Sequence, residues 1–316
     1  MASEWTVLLA VLAPVAFGLL TLWLPRHWIE PRTLLATLGP AIAFALLLSV
    51  ALDSRDALQA QYDYAGAQAS VHNEHGDDAA HGNEPAKPQA AGHGETPDHA
   101  HPPSIRPAAP TTGVIKWMPS LNINLAFLTD GLGLFFGLLV SGVGTLIMLY
   151  ARGYFGRAGP TSADDLYRFY PTLGFFTTAM LGVVLADYTI LTLLFWEMTS
   201  ISSFLLIGWD RYDKKAVKLA MQAFFTTGLG GMGLFGGVLV FGNTTAWMGI
   251  GPSSLDAATG ATIYHGIWRW SDMLIYGEQL MDVMVILNSP GLMWAFVLMF
   301  IGAGTKSAQF PFHFWL

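Results

Sequence analysis

Residues 188–208 read YTILTLLFWEMTSISSFLLIG, an apolar run long enough to cross a bilayer as a single helix. The one charge in this run is Glu197, near its middle. A carboxylate at that depth costs roughly 2.5–3.5 kcal/mol on membrane-insertion scales. Such a group is typical of a proton or ion pathway, and the structural alternative is a hydrogen bond to a neighbouring helix. We favour the pathway.

The rest of the chain also has the composition of a membrane protein. Hydrophobic residues make up 53% of its 316 residues and charged residues only 12%, against about 25% charged residues in soluble domains. The chain has no cysteine, which excludes cysteine-ligated iron–sulfur clusters. It has no phosphate-binding glycine loop, dinucleotide fingerprint or nucleophile elbow. We therefore expect no cofactor, no nucleic-acid partner and no catalytic centre of its own.

Hydropathy predicts an all-α, polytopic bundle of about seven transmembrane helices, since the spans lack the alternation of a barrel strand. The candidate spans are 5–24, 33–52, 131–151, 170–186, 188–208 and 217–241, and a seventh begins near 291. The fourth span is short, and Asp187 separates it from the fifth. This spacing predicts a tight hairpin with Asp187 near a membrane surface.

Lysine and arginine are concentrated in the odd-numbered loops between these spans. By the positive-inside rule these loops are cytoplasmic, and the N-terminus and the long second loop lie outside. The first span is predicted to be retained, because Glu4 stands where a signal peptide carries positive charge. We expect a multi-pass protein of the cell inner membrane, in contact with lipid.

The chain divides into two N-terminal helices (1–52), a long outer loop (53–120) and a membrane domain (121–316). The loop is acidic, rich in Pro and Ala, and holds six of the nine histidines, which predicts disorder. Its histidines show no tight ligand set, so we expect no metal site. Two outer segments are predicted to be ordered, a β-hairpin within 115–130 and an interfacial amphipathic helix within 263–287.

The sixth span is rich in glycine. Gly233 and Gly237 form a small-xxx-small pair, which predicts close packing against another helix.

A second intramembrane charge, Lys306, follows the last apolar run in FIGAGTKSAQFPFHFWL. Gln309 and His313 share its face if the helix continues. Pro311 breaks or kinks that helix, because it lacks an N–H and clashes with the carbonyl of Ser307. Broken helices at membrane depth are typical of binding sites in transporters. A lysine that snorkels from a helix end is the structural alternative.

Polar residues accompany both charges. Ser200 lies one turn after Glu197, which predicts a hydrated or interhelical seam. Lys218 and Gln222 are four residues apart in KKAVKLAMQAFFTTG and share a helical face. Lys218 is either part of the path or ordinary positive-inside flanking.

Three segments carry a family resemblance: FLTDGLGLFFGLLVSGVGTLIMLYARGYF, MLGVVLADYTILTLLFWEMTSISSFLLIGW and AGTKSAQFPFHFWL. They resemble the proton-translocating antiporter-like family, which includes the A-type subunit of Mrp-type multisubunit cation/proton antiporters and the antiporter-like membrane subunits of respiratory complex I. The FPFH form is more similar to the Mrp-type branch. The resemblance implies most of one inverted five-helix repeat with a Pro-broken seventh helix, in the N-terminal part of a longer protein.

The resemblance also implies roles for single residues. Glu197 matches the fifth-helix glutamate of the family, and Lys306 matches the central lysine of its broken seventh helix. The resemblance implies that these two groups relay protons, and that a change in the charge of one affects the charge state of the other. His313 is carried over as a candidate relay. Gln222 stands where many relatives have lysine, and a neutral amide cannot be the cationic partner of Glu197. Three alternatives stay open: Lys218 takes that role, Lys306 serves alone, or this branch couples proton movement differently.

The sequence therefore predicts a proton-conducting membrane subunit of a multisubunit Na+/H+ antiporter. Its expected partners are other membrane subunits, protons and monovalent cations. Two alternatives stay open. One is a proton-pumping subunit of an NADH-quinone oxidoreductase or a membrane-bound hydrogenase, and the other is a structural subunit whose charges only hold helices together.

Overall fold

The computed structural model describes residues 4–60, 63, 111–118, 123–156, 162–255, 262–280 and 288–316. The helices in this part of the chain are α1 (Glu4–Leu20), α2 (Ile29–Asp53), α3 (Gly131–Gly156), α4 (Ser162–Leu185), α5 (Thr189–Ile207), α6 (Lys214–Trp247), α7 (Trp270–Leu280) and α8 (Pro290–Lys306). The strands are β1 (Thr111–Met118), β2 (Ile123–Leu128), β3 (Ser253–Leu255) and β4 (Thr262–Tyr264). Short 3-10 turns cover Thr21–Trp23 and Phe312–Trp315.

Within the described residues, the six helices α1 to α6 are long and apolar enough to cross a membrane. The shorter α8, with 17 residues, is also apolar and corresponds to the predicted seventh span. The all-α, multi-pass prediction is confirmed. One boundary was wrong: α4 begins at Ser162 rather than near 170. Its first turn contains Asp164 and Asp165, and acidic residues are favourable at a helix N-terminus.

Neighbouring helices pack in sequence order and enclose an apolar core. α1 packs on α2 and α4, α2 on α3, α4 on α5, α5 on α6, and α6 on α8. Buried Val11, Leu47, Leu185 and Phe195 come from four different helices of the largest core cluster. Because this cluster unites α1, α2, α4 and α5, it fixes the helix that carries Glu197.

Glycines of α6 allow α8 to approach closely, as the sequence predicted. A Cβ built at Gly237 would lie 2.7 Å from Met299 Cγ and 2.8 Å from the Ala295 carbonyl oxygen. Gly233 packs more loosely, its Cβ position lying 3.5 Å from the Leu298 carbonyl oxygen. The tight contact along α6 sets the height at which α8 ends.

The predicted β-hairpin is present as the antiparallel pair β1–β2, and it begins earlier than expected, at Thr111. The histidines of the long loop lie outside the described residues (His72, His75, His81, His93, His99 and His101).

The predicted interfacial helix at 263–287 begins later than expected. Its first residues form β4, which pairs with β3, and the helix α7 begins at Trp270. The β-branched and aromatic side chains of Thr262–Tyr264 suit a strand better than a helix. Residues 281–287 lie outside the described part of the chain.

The turn between α4 and α5 is the tight hairpin that the sequence predicted, and residues next to α7 hold it in place. The fully buried Asp187 accepts hydrogen bonds from Arg269 Nε at 2.7 Å and from the Ser271 amide and hydroxyl at 2.8 and 2.9 Å. The Arg269 side chain also stacks on Tyr188. This network fastens the segment before α7 to the bundle.

Candidate functional site

The two intramembrane charges lie on helices that both contact α6. Glu197 is on α5, about 12 Å along the helix axis from its start by the usual rise per residue. Lys306 is the last residue of α8. Gly231 of α6 leaves no room for a Cβ beside the Glu197 carboxylate. Both side chains are partly buried.

Neutral groups of α5 hold the amine of Lys306. Its Nζ donates to Ser200 Oγ at 2.7 Å and to the Trp196 carbonyl oxygen at 3.5 Å. The same nitrogen lies 5.5 Å from the centroid of the Trp196 ring, at cation–π distance. The lysine therefore has hydrogen-bond and aromatic partners without a carboxylate in contact.

Glu197 and Lys306, both within the described residues, do not form an ion pair with each other. One helical turn separates Glu197 from Ser200, the residue whose hydroxyl binds the amine. The structure therefore places Lys306 against the helix that carries Glu197, one turn from that residue.

Lys306 borders a cavity of about 320 Å³ between α4, α5, α6 and the C-terminal turn. We call it the lysine cavity. Its polar lining comes from Thr199, Ser200, Ser203, Thr227 and Lys306. Since a water occupies roughly 30 Å³ in the liquid, this cavity has room for several waters beside the amine.

Glu197 borders a different cavity of about 460 Å³ against α6, which we call the glutamate cavity. Its other walls are apolar and include Phe225, Met232 and Phe235. Phe224 lines both cavities, and its ring packs on Phe204 with centroids 5.4 Å apart. An aromatic side chain thus stands between the space beside the lysine and the space beside the glutamate.

Other predicted site residues lie away from the two charges. Lys218 is exposed and lines neither cavity. His313 is exposed and stacks on Phe310 with centroids 5.7 Å apart. Gln222 Nε2 donates to the Phe314 carbonyl oxygen at 2.9 Å, which ties α6 to the C-terminal turn.

The predicted interruption of the seventh span is present, but it lies before Pro311. α8 ends at Lys306, and Ala308 takes a left-handed conformation with φ of 51°. The Gln309 amide then bonds back to the Gly304 carbonyl oxygen at 2.9 Å, as is common at helix C-termini. Because the helix does not continue, the predicted common face of Lys306, Gln309 and His313 does not exist.

Sequence reasoning missed two aromatic residues of the site. Trp196 precedes Glu197 and supplies both a carbonyl and a ring to the lysine. Its indole Nε1 is buried without a hydrogen-bond partner among the described residues. The adjacency to Glu197 was a signal for Trp196, whereas nothing in the sequence distinguishes Phe224 from the neighbouring aromatic residues.

Comparisons with known proteins match part of the β1–β2 hairpin and the whole candidate site. Residues 186–316 match the family described as NADH:quinone oxidoreductase/Mrp antiporter, TM. Residues 116–170 match the family described as NADH-Ubiquinone oxidoreductase (complex I), chain 5 N-terminus. Glu197, Ser200 and Lys306 all fall within the first match.

One similar curated protein is the Na(+)/H(+) antiporter A1 subunit of Staphylococcus aureus (strain JH9), 38% identical over 202 residues. The match covers 64% of this chain and 21% of the relative, so the chain spans about a fifth of that protein. The fold is similar to the Mrp complex from Dietzia sp. DQ12-45-1b, with a TM-score of 0.55 and 21% identity over 98% of this chain and 25% of that one.

The fold is also similar to respiratory complex I from Thermus thermophilus with bound NADH. The TM-score is 0.54 at 18% identity, and the match covers 98% of this chain and 46% of that one.

Proposed function

We propose that this chain is a member of the antiporter-like membrane family shared by Mrp antiporters and respiratory complex I, and that it conducts protons within one subunit of a Na+/H+ antiporter. Glu197 and Lys306 are the proposed relay groups. The single observation that carries the proposal is the setting of Lys306, an intramembrane amine bound by a hydroxyl and a carbonyl beside a cavity wide enough for water.

The partners of Lys306 suit both of its protonation states. The charged amine donates to Ser200 Oγ and to the Trp196 carbonyl oxygen. When the amine is neutral, its nitrogen can accept a hydrogen bond from the Ser200 hydroxyl, because a hydroxyl both donates and accepts. A lysine locked in a tight ion pair would lack this freedom. The site is therefore suited to gaining and losing a proton without a change in fold.

The two cavities supply separate routes to the two charges. The lysine cavity is lined by Leu206 and Ile207, at the end of α5 that carries the basic loop. The glutamate cavity extends along α6 to Phe235, away from that end. With the basic loops cytoplasmic, the lysine faces the cytoplasmic side and the glutamate the opposite side. Protonation of Glu197 removes a negative charge near Lys306 and favours release of the lysine proton.

The sequence relative favours antiport over redox-driven pumping. The curated relative at 38% identity is one subunit of a Na(+)/H(+) antiporter. The two solved structures resemble the chain almost equally, so the fold does not discriminate. We also propose that other membrane subunits are its partners, as the multisubunit complexes of the structural relatives suggest.

The test uses the full-length protein in its complex, reconstituted into proteoliposomes. Lys306→Arg keeps the positive charge but stops proton exchange, because arginine stays protonated. Glu197→Gln keeps the shape of the side chain and removes its charge. We expect both variants to lose Na+-driven proton movement by about tenfold or more. Lys215→Arg, an exposed change in the first turn of α6, is the matched control.

Each outcome has a defined meaning. If Lys306→Arg exchanges Na+ for protons at the wild-type rate, Lys306 is not a proton-relay group. Proton movement that follows quinone reduction but not a Na+ gradient supports a redox-driven pump. Loss of complex assembly in both variants, with the control intact, supports a purely structural role for the charges.

A further inference from the structure

A third cavity opens at the end of the bundle where α5 meets α6. Its volume is about 570 Å³, and we call it the interfacial cleft. Arg168, Trp209 and Arg211 form its polar rim, and Leu205 and Val217 belong to its apolar lining. This cleft contains neither Glu197 nor Lys306 and lies outside the proposed proton path.

The two arginines of the rim form no ion pair with any carboxylate among the described residues. In the described part of the chain, the ion pairs of arginines join Arg26 to Asp164, Arg152 to Glu30 and Arg269 to Asp187. Arg168 instead stacks on Trp209, with its guanidinium carbon 4.7 Å from the ring centroid. Arg211 is exposed. Two positive charges thus face one cleft without a neutralising carboxylate.

The position of the cleft fits the headgroup level of a membrane. Arg211 lies in the short loop between α5 and α6, while Leu205 and Val217 lie on the spans themselves. Tryptophan is enriched at the membrane–water interface, and basic pockets between helices on the cytoplasmic side are typical sites for anionic headgroups. An acidic peptide or free phosphate would satisfy the arginines, but neither needs the apolar floor.

We propose that the interfacial cleft binds an anionic glycerophospholipid. Its phosphate contacts Arg168 and Arg211, and the start of an acyl chain lies on Leu205 and Val217. Trp209 holds the Arg168 guanidinium in place by stacking. The bound lipid contacts α4, α5 and α6 at the end of the bundle where the cleft opens. The proposal depends on membrane insertion alone and is independent of the proposed antiport.

The test places the full-length protein, in its complex, in nanodiscs that contain a phosphatidylglycerol with a photoactivatable diazirine on its acyl chain. We expect crosslinks to peptides that contain Leu205 or Val217. Arg211→Gln, an exposed change that leaves the helices unaltered, should lower this labelling about fivefold, and Arg168→Gln/Arg211→Gln by more. Lys215→Gln removes an equal charge from the first turn of α6, outside the cleft, and should leave the labelling unchanged.

Three comparisons can overturn the proposal. Equal labelling by the matching phosphatidylcholine probe excludes recognition of an anionic headgroup. Loss of labelling on addition of inorganic phosphate identifies a phosphate site rather than a lipid site. Wild-type labelling that misses the cleft peptides, or that persists in the double variant while its unfolding temperature matches the wild type, contradicts binding there.

Discussion

Lys306 Nζ lies 2.7 Å from Ser200 Oγ, so the amine that ends α8 is bound by a hydroxyl of α5. The carboxylate of Glu197, one turn earlier on the same helix, forms no ion pair with this amine. Coulombic interaction at a distance changes with the charge of the glutamate but does not immobilise the lysine. The arrangement lets the serine fix the position of the lysine and lets the glutamate bias its charge.

Ser200→Ala tests the positioning role of the hydroxyl. The substitution leaves Lys306 with only the distant Trp196 carbonyl and ring, so we expect Na+-driven proton transport to fall about tenfold, the value of one hydrogen bond to a charged group. Ser200→Thr retains a hydroxyl and should restore part of the loss. Transport rates in proteoliposomes measure both changes.

The control for this prediction is Ser203→Ala. Ser203 lines the same cavity, and the structure gives it no bond to Lys306. Equal defects in the alanine variants of Ser200 and Ser203 would indicate a general effect of cavity polarity and contradict a specific role for Ser200.

Phe224→Ala tests the separation of the two cavities. Loss of the ring joins the lysine and glutamate cavities, and water then connects the groups that must titrate in turn. We expect an increased passive proton leak and a reduced ratio of protons moved to Na+ exchanged. Dye-monitored acidification of proteoliposomes, with and without a Na+ gradient, measures both quantities.

Phe225→Ala is the matched control, because this exposed neighbour lines the glutamate cavity alone. A leak of the same size in both variants means that the cavities are already continuous. If Phe224→Ala moves protons and Na+ in the wild-type ratio, the Phe224 ring does not separate the two cavities.

Gly237→Ala tests the packing that sets the height of Lys306. The new Cβ would come within 2.8 Å of the Ala295 carbonyl oxygen, a backbone atom that can move only with α8. We expect a loss of about 1–3 kcal/mol in the free energy of unfolding. Gly228→Ala on the same helix meets no atom within 4 Å and should be neutral or stabilising. Thermal unfolding in detergent measures the stability of both variants. A Gly228→Ala variant that is less stable than Gly237→Ala would contradict close packing at Gly237.

The positions of the spans and of the two charges were predictable because they rest on local properties, hydropathy and the free energy of burying a charge. The hydrogen-bond partner of Lys306 could not be predicted, because it depends on the residue at which α8 ends. Pro311 suggested the stop, yet the chain leaves the helix through Ala308, and alanine rarely adopts a left-handed conformation. The three-residue strands β3 and β4 are too short to give a periodic signal.

Asp272→Asn tests the electrostatics of the outer network. Burial raises the pKa of Asp272, Arg269 opposes this rise, and the negative charge of Asp187 adds to it. The folded protein therefore favours the protonated acid. The stabilisation from protonated Asp272 is fully present below its unfolded pKa, about 3.9, and is lost as pH rises through the higher folded value. At neutral pH, the ionised carboxylate destabilises the fold.

Asparagine cannot ionise, so we expect Asp272→Asn to unfold at a higher temperature than the wild type at pH 7. The difference should shrink as pH falls toward 4. Asp187→Asn is the contrasting change, since it leaves Arg269 without its buried partner and should destabilise the fold at neutral pH by several kcal/mol. An unfolding temperature of Asp272→Asn that tracks the wild type across this pH range would show that the Asp272 carboxylate is solvated.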